Sequence, residues 1–313
     1  MQQTGANAIV MIGEESSFKT VATVGFELPV NSCGVKGLQP LSTAQTLTGN
    51  RSPVAPFSGN RDVSGSIVVP VDSLAMPYWL QKMFDDEATT GSDPYTHEYK
   101  IGATMPSFTL EEQFTDLTVD KFARFLGCMV SGWSMSVGGD GELVNNIDVI
   151  GASDTLENSA FDAAPTTISL ARLENFQAAI TEGGGALSNA REWSFNIDFG
   201  LDTDQFVIGG SGVRGSVPVG IVGVSGNVKT LFEDSSLLDK AIAGTETSFK
   251  VTVSNGASSI FEVELEELRL ERNTPDIPGP QGLLVDLNFQ AYYTDGSDAS
   301  AIVARVTNAI ASY

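Results

Sequence analysis

The side chains in this sequence whose type and spacing could do chemistry are carboxylates. Glu262, Glu264 and Glu266 alternate with Phe261, Val263 and Leu265, so a strand would carry all three acids on one face. Neighbours on that face stand about 6.8 Å apart, too far for two of them to chelate one ion easily. Asp198, Asp202 and Asp204 make a looser group, and Glu111, Glu112 and Asp116 a third. Two arrangements fit: three separate solvated faces, or one shared acidic wall. Acid–base catalysis has little to work with. His97 is the only histidine, and any Ser-His-Asp or Cys-His device would rest on it alone. Gly210-Ser211-Gly212-Val213-Arg214-Gly215 satisfies GxGxxG after Phe206-Val207-Ile208, which reads as a strand. A dinucleotide site needs a helix to begin there, and the chain instead continues SVPVGIVGV. Cys33 and Cys128 lie far apart without CxxC spacing, which signals neither a disulfide framework nor a zinc site. This inventory predicts no catalytic residue, no cofactor and no metal.

Charge is the extreme feature. The 39 acidic residues against 17 basic ones give a net charge of −22. Such a surface repels phosphate backbones and disfavours tight binding of DNA or RNA by counterion release. The same repulsion is useful where DNA must pass without sticking. A hydrophobic content of 42% with 18% charged residues is that of a globular chain, and 313 residues suffice for two domains with their own cores. The apolar run at 8–12 is short and has no basic region before it, unlike a signal peptide. No stretch reaches about 18 apolar residues. The expectation is a soluble protein made in the cytoplasm, with no membrane partner.

Strands must position these residues. Val63-Ser64-Gly65-Ser66-Ile67-Val68-Val69-Pro70-Val71 has the β-branched content of a strand, with Pro70 marking an edge or an end. Asp72 or Ser73 can cap the helix that follows, Pro77 falls in its first turn, and Leu74, Tyr78, Leu80, Met83 and Phe84 form its apolar stripe. The unit returns. Val224-Ser225-Gly226-Asn227-Val228 echoes 63–67 at an offset of 161. Glu233, Asp234 and Ser235 then start a second helix with the stripe Leu237, Leu238, Ala241 and Ile242, closed by Gly244. Val285, Leu287 and Phe289 correspond to Asn145, Ile147 and Val149 at an offset of 140, so the first copy carries 21 more residues between its helix and last strand (161 against 140). Offsets near half the chain indicate a duplicated domain, with units at 1–160 and 161–313.

Residues 13–30 read as a polar entry followed by a strand that breaks at Pro29, and further strands are expected near 35–47, 96–101, 106–114, 118–137 with interruptions near Gly127 and Gly132, 142–151, 191–199 and 247–254. Residues 258–271 should pair with 282–293, and 299–308 fits either a helix or, slightly better, a last strand. Asn255-Gly256 is a hairpin turn. Residues 85–93 read as an acidic loop and 152–167 as a linker. The long connection 46–61, with two prolines and two Gly-Asn pairs, is either a plain surface loop or an interaction arm.

Taken in order, these pieces resemble the major tail tube proteins of long-tailed, siphovirus-type bacteriophages. The resemblance is carried by Gly13-Glu14-Glu15-Ser16-Ser17-Phe18, Leu28-Pro29, the 46–61 loop and the Val63–Ile67 strand with its helix. The run Ala291-Tyr292-Tyr293-Thr294-Asp295-Gly296 and the Thr307-Asn308 pair near the end add to it. It implies a mainly β protein: two tandem tail-tube-like β-sandwich domains, each with a short flanking α-helix, whose inner strands contribute to a ring-wide β-barrel. It implies no enzyme, but a virion protein assembled in the host cytoplasm whose rings stack into the tail tube. Implied partners are further copies of itself in homotrimeric rings of pseudo-sixfold character, the tape measure protein, and the tail terminator and distal tail proteins. Double-stranded DNA would pass through on ejection without tight binding. On that reading Glu111, Glu112, Asp116, Asp198, Asp202, Asp204, Glu262, Glu264 and Glu266 are candidate lumen acids. Asn50, Arg51, Pro53, Pro56, Phe57, Asn60 and Arg61 are candidates for contact between rings. Two other classes stay open: a baseplate or injection-machine ring component, and an acidic β-sandwich that binds carbohydrate.

Overall fold

The β-branched run at 62–70 folds as a strand and the stretch after it as a helix, in a computed structural model that describes residues 2–313. The first half opens with β1 (Ile9–Glu14), β2 (Phe26–Glu27), β3 (Ser32–Cys33), β4 (Lys36–Leu38), β5 (Leu41–Ser42), β6 (Phe57–Ser58) and β7 (Asp62–Pro70). Helix α1 (Met76–Met83) leads into the hairpin of β8 (Asp86–Gly91) and β9 (Tyr95–Lys100). Then come β10 (Phe108–Phe114), β11 (Lys121–Val137), β12 (Val144–Gly151) and β13 (Ser153–Glu157). The second half begins with β14 (Thr166–Thr167), β15 (Ala178–Glu182), β16 (Gly185–Ala186), β17 (Ala190–Asp198) and β18 (Gly223–Leu231). After α2 (Ser236–Ala243) follow β19 (Glu246–Ser254), β20 (Ile260–Leu270), β21 (Leu284–Ala291) and β22 (Val303–Asn308). The protein is mainly β.

The internal echo is written in the hydrogen bonding. β7 pairs antiparallel with β12 so that Gly65 faces Val149 and Ile67 faces Ile147. β18 pairs with β21 so that Gly226 faces Phe289 and Val228 faces Leu287. Residues 161 apart on one strand therefore meet residues 140 apart on the other. A third shift, of 160, relates the strands on the far side: Cys33 faces Ile67 as Trp193 faces Val228. Gly65 and Gly226 are glycine for one reason. A Cβ at either would overlap a backbone carbonyl oxygen, that of Gly34 or that of Ser194, themselves 160 apart. The extra length of the first half is the β8–β9 hairpin and the loop after it, whereas α2 runs almost directly into β19.

β11 joins the halves. It is 17 residues long. Residues 121–128 pair with β10 or β13, whereas those from Met129 onward pair with β12 and β17. The β12 register slips between Val130 and Gly132, and a bulge of this kind bends a strand so that it can serve two sheets. A continuous run β7–β12–β11–β17–β18–β21 results. β22 makes a second connection, pairing with β20 on one side and β9 on the other. Inward residues alternate along the strands, so Trp193, Phe195 and Ile197 of β17 and Phe261, Val263 and Leu265 of β20 enter one core with Trp79, Phe84 and Trp133. Trp133 meets Phe84 and Phe195 edge-on, and its indole N–H donates to Asn145 Oδ1 at 2.8 Å, satisfying the polar end of a buried ring. Pro77 lies in the first turn of α1 and Gly244 closes α2 with φ 64°, but α1 starts at Met76 behind Ala75 instead of behind Asp72 or Ser73, which leaves Leu74 outside the helix. Asp72 caps the turn just ahead of α1, accepting from Leu74 and Ala75 N–H at 2.6 Å each and from Ala171 N–H.

Four further expectations change. Most of 85–93 is strand, for β8 pairs with β9. Residues 152–167 hold β13 on β11 and β14 parallel to β2. The 258–271 segment meets β21 only at 268–270; its main partners are β19 and β22, and that of β21 is β18. Residues 206–208 give a single bridge, Phe206 to Arg214, followed by a turn. In the first two cases a partner strand supplies pairing that acidic or Ser/Asp-rich composition does not advertise.

Gly65→Ala and Gly226→Ala are each expected to cost about 3 kcal/mol, read as a fall in the urea midpoint. Gly223→Ala, with open space around its Cβ, should leave the midpoint nearly unchanged.

Candidate functional site

Alternation buries one face of the run β7–β12–β11–β17–β18–β21, and so the intervening residues fix the other. Short polar side chains cover it. Ser66, Ser136, Asn146, Asn196, Ser225 and Asn288 are all exposed. Asp148, Asp198 and Asp286 stand among them, also exposed. Asp148 and Asp198 face Gly132 from either side, two strand spacings or about 9.5 Å apart, beyond the reach of one shared ion. Asn227 Nδ2 donates to Asp286 Oδ1 at 2.5 Å and to Asn288 Oδ1 at 3.1 Å. Lys229, the cation of this neighbourhood, lies 2.8 Å from Glu192 and 3.8 Å from Asp286. Such a face holds water and repels anions. No cluster of His, Cys, Asp and Glu suited to a metal occurs among the described residues. His97 is buried, with Nδ1 2.9 Å from Thr89 Oγ1 and Nε2 2.8 Å from Ile310 O, a structural position.

The nine acids singled out from sequence do not form one wall. Asp198 lies on the polar face, and Asp202 and Asp204 follow it in an exposed loop. Glu111 is fully buried, 2.8 Å from Arg124 Nε, and accepts Phe161 N–H at 3.2 Å. Burial pushes its carboxyl up in spite of Arg124. A carboxylate so enclosed cannot line a channel, and its place in the lumen set is withdrawn. Glu112 is half-buried and also raised by burial. Beside it, burial and then the charge of Glu112 push the Cys33 thiol up to about 12. Asp116 ties down the N-terminal segment. It accepts from Thr4 N–H at 3.0 Å, Asn7 Nδ2 at 2.9 Å and Thr4 Oγ1 at 2.9 Å, and these bonds hold it below the usual carboxylate range.

Glu262, Glu264 and Glu266 share a face, as their spacing requires, but each is engaged. Lys250 lies 3.0 Å from Glu262, Arg305 pairs with Glu264, and Glu266 accepts Ser297 Oγ at 2.7 Å and Asp298 N–H at 2.9 Å. Arg305 also reaches Glu98 at 2.7 Å and Asp298 at 2.6 Å, and Lys100 reaches the same two at 2.8 and 3.1 Å. Burial opposes ionisation of Glu98 and Asp298, yet the bonds from Lys100 and Arg305 outweigh it and hold both low. The stripe clamps β9, β20 and β22.

The 46–61 loop is the greater part of a hairpin arm, stemmed by β5 on β6. Asn50, Arg51, Pro53, Pro56 and Asn60 are exposed, and Arg61 is half-buried. Phe57 is 58% exposed and Leu47 99%, apolar surface held in water. At its base Arg61 N–H donates to Gly212 O at 2.7 Å. The GxGxxG loop is thus a socket for the arm, pinned by buried Arg214, which donates to Thr203 O at 2.6 Å and Gly151 O at 2.7 Å and pairs with Asp62.

Asp148 and Asp286 lie outside the acid-rich runs of the sequence, although alternation over 191–199 already sets Ser194, Asn196 and Asp198 on one face. The usable signal was Ser, Asn and Asp at every second position of 144–151, 190–198 and 284–291. A family model described as Phage tail tube protein matches residues 5–291. No curated protein matches the chain.

Arg305→Ala is expected to lose about 3 kcal/mol at pH 7, measured by urea unfolding. Glu98 and Asp298 have folded pKa values below their unfolded ones. Their contribution is full above about pH 4 and is lost as pH falls through the lower folded values. The variant should therefore lose less stability between pH 7 and pH 3 than the parent.

Proposed function

The chain belongs to the phage tail tube family, which is structural and not enzymatic, and we propose on that premise that copies of it form rings that stack into a tube for DNA ejection. The observation that carries this reading is the polar face shared by both halves, set with carboxylates and short hydroxyl and amide groups. Unpaired strand edges invite pairing with neighbours, and closure into a barrel removes them. A head-to-tail contact along the axis then builds an open filament. Two tube-like β-sandwich units per chain, 1–160 and 161–313, make a trimer of pseudo-sixfold character the simplest ring. The polar face lines the lumen. There Asp148, Asp198 and Asp286 repel the phosphates of passing duplex DNA, and the serines and asparagines hold a water layer. The 41–58 arm reaches the adjacent ring, where Leu47 and Phe57 lose their exposure. The protein would sit in the tail of a long-tailed virion after assembly in the host cytoplasm. Tape measure protein would fill the lumen first, with tail terminator and distal tail proteins at the ends.

Negative-stain electron microscopy at rising concentration is expected to give long tubes with a central channel. Discrete rings that never stack would favour a baseplate component instead. Phage carrying Asp148→Lys, Asp198→Lys and Asp286→Lys together should build normal tails yet eject DNA at least about tenfold less efficiently. An unchanged titre would remove these residues from the lumen.

A further inference from the structure

We propose that the free edge formed by β3 and β4 receives residues 272–277 of a second copy of this chain, and that this segment becomes a strand on docking. The proposal rests on the assembly reading above and says where copies join. Its template lies inside the chain. Residues 132–137 of β11 pair with β17, from Gly132 opposite Asp198 to Val137 opposite Trp193. Both sides of this seam have counterparts in the other half. β17 corresponds to β3 and β4: Trp193 and Ile197 face Val228 and Val224 as Cys33 and Gly37 face Ile67 and Val63. β11 corresponds to β20: Met129 and Val130 face Ile150 and Val149 as Arg269 and Leu270 face Gln290 and Phe289.

Beyond that point the halves differ. β11 runs on to Val137, whereas β20 stops at Leu270. The next residues already follow β21, since Glu271 N–H donates to Asn288 O at 2.7 Å and Asn273 Nδ2 to Asp286 O at 3.0 Å. Residues 272–277 form no strand, and among the described residues β3 and β4 pair with β7 alone. One seam is made within the chain; the components of an equivalent one are left open at opposite ends of the same sheet.

Carrying the shifts of 140 and 160 across places Thr274 opposite Lys36 and Ile277 opposite Cys33. Ile277 is 80% exposed, and the seam covers it as the internal seam covers its counterpart Val137, which is buried. Asp276 becomes a diagonal neighbour of exposed Lys36, a favourable cross-strand charge pair. Pro275 and Pro278 explain why the segment does not form a strand alone; in the seam Pro275 falls opposite Val35 and offers only its carbonyl, and the N–H donors of the segment are those of Asn273 and Ile277.

Phe199 N–H donates to Ser131 O at 3.0 Å just before the internal seam. In that phase Ser134 and Asn196 form a non-hydrogen-bonded pair, and so would Thr274 and Lys36. Such a pair has a Cα separation of about 4.5 Å, close enough for a disulfide. The test mixes two full-length chains, Lys36→Cys and Thr274→Cys, both in a Cys33→Ala background and both altered at exposed positions. After assembly and mild oxidation, a disulfide-linked dimer of the two should be the main product. Ser32→Cys mixed with Thr274→Cys should give at least about tenfold less, being four residues, or about 13.6 Å, out of register. Assemblies that form normally but leave 36 and 274 unlinked overturn the seam alone. A chain that stays monomeric at every concentration counts against both the seam and the assembly reading.

Discussion

β11 leaves β10 and β13 for β12 at Met129, and between Val130 and Gly132 its register on β12 slips, where β17 joins it on the other side. The rest of the structure depends on that change of company. Gly132 allows it, because a Cβ there would stand 3.1 Å from Asp148 Oδ2 and 3.3 Å from Ile197 O. Trp133, the next residue, drops into the core between Phe84 and Phe195 and so fixes which face of the following strand is wet. Since β17 pairs only along 132–137 on this side, the same slip decides that the polar face of one half continues into that of the other.

The chain divides its acids among distinct tasks. Some are internal ties. Glu15 is buried and collects Lys19 N–H, Gly127 N–H and the Ser107 and Thr109 hydroxyls. Charged hydrogen bonds of this kind are individually strong, and a buried carboxylate without them would be expensive. Others, Glu98, Glu264 and Asp298, are offset by Arg305 and Lys100 where β9, β20 and β22 meet. The acids left on the polar face are few and separated, and most of that face is neutral. A net charge of −22 therefore does not describe an evenly acidic wall.

The strand–helix units were legible because β-branched runs, a first-turn proline and a terminal glycine act locally. The echo between strands was legible as two numerical offsets, which the pairing registers of β7–β12 and β18–β21 reproduce. The fate of individual acids was not legible. Alternation tells which acids share a face, as at 262–266, but Glu111 sinks because Arg124 rises beside it, and Glu264 is neutralised by an arginine 41 residues away. Likewise β8 and β13 are strands because β9 and β11 offer them edges, information that no short window of sequence contains. The arm at 46–61 could be seen as irregular, but its stem and its socket at Gly212 join segments far apart in the chain.

The two halves are not perfect copies on their polar faces. Asn146 and Asp148 on β12 answer Asp286 and Asn288 on β21, the amide and the acid having exchanged places. β12 and β21 thus carry their carboxylates at positions two residues, or about 6.8 Å, out of step along the strand. In a closed wall of such chains, charge falls on two staggered tiers instead of a single band. A polyanion sliding past one dense band would meet a periodic barrier, rising and falling once per ring. In the ring proposed above, staggering would spread the same repulsion along the path and flatten the landscape, so that the wall would act as a lubricated bearing and not as a ratchet.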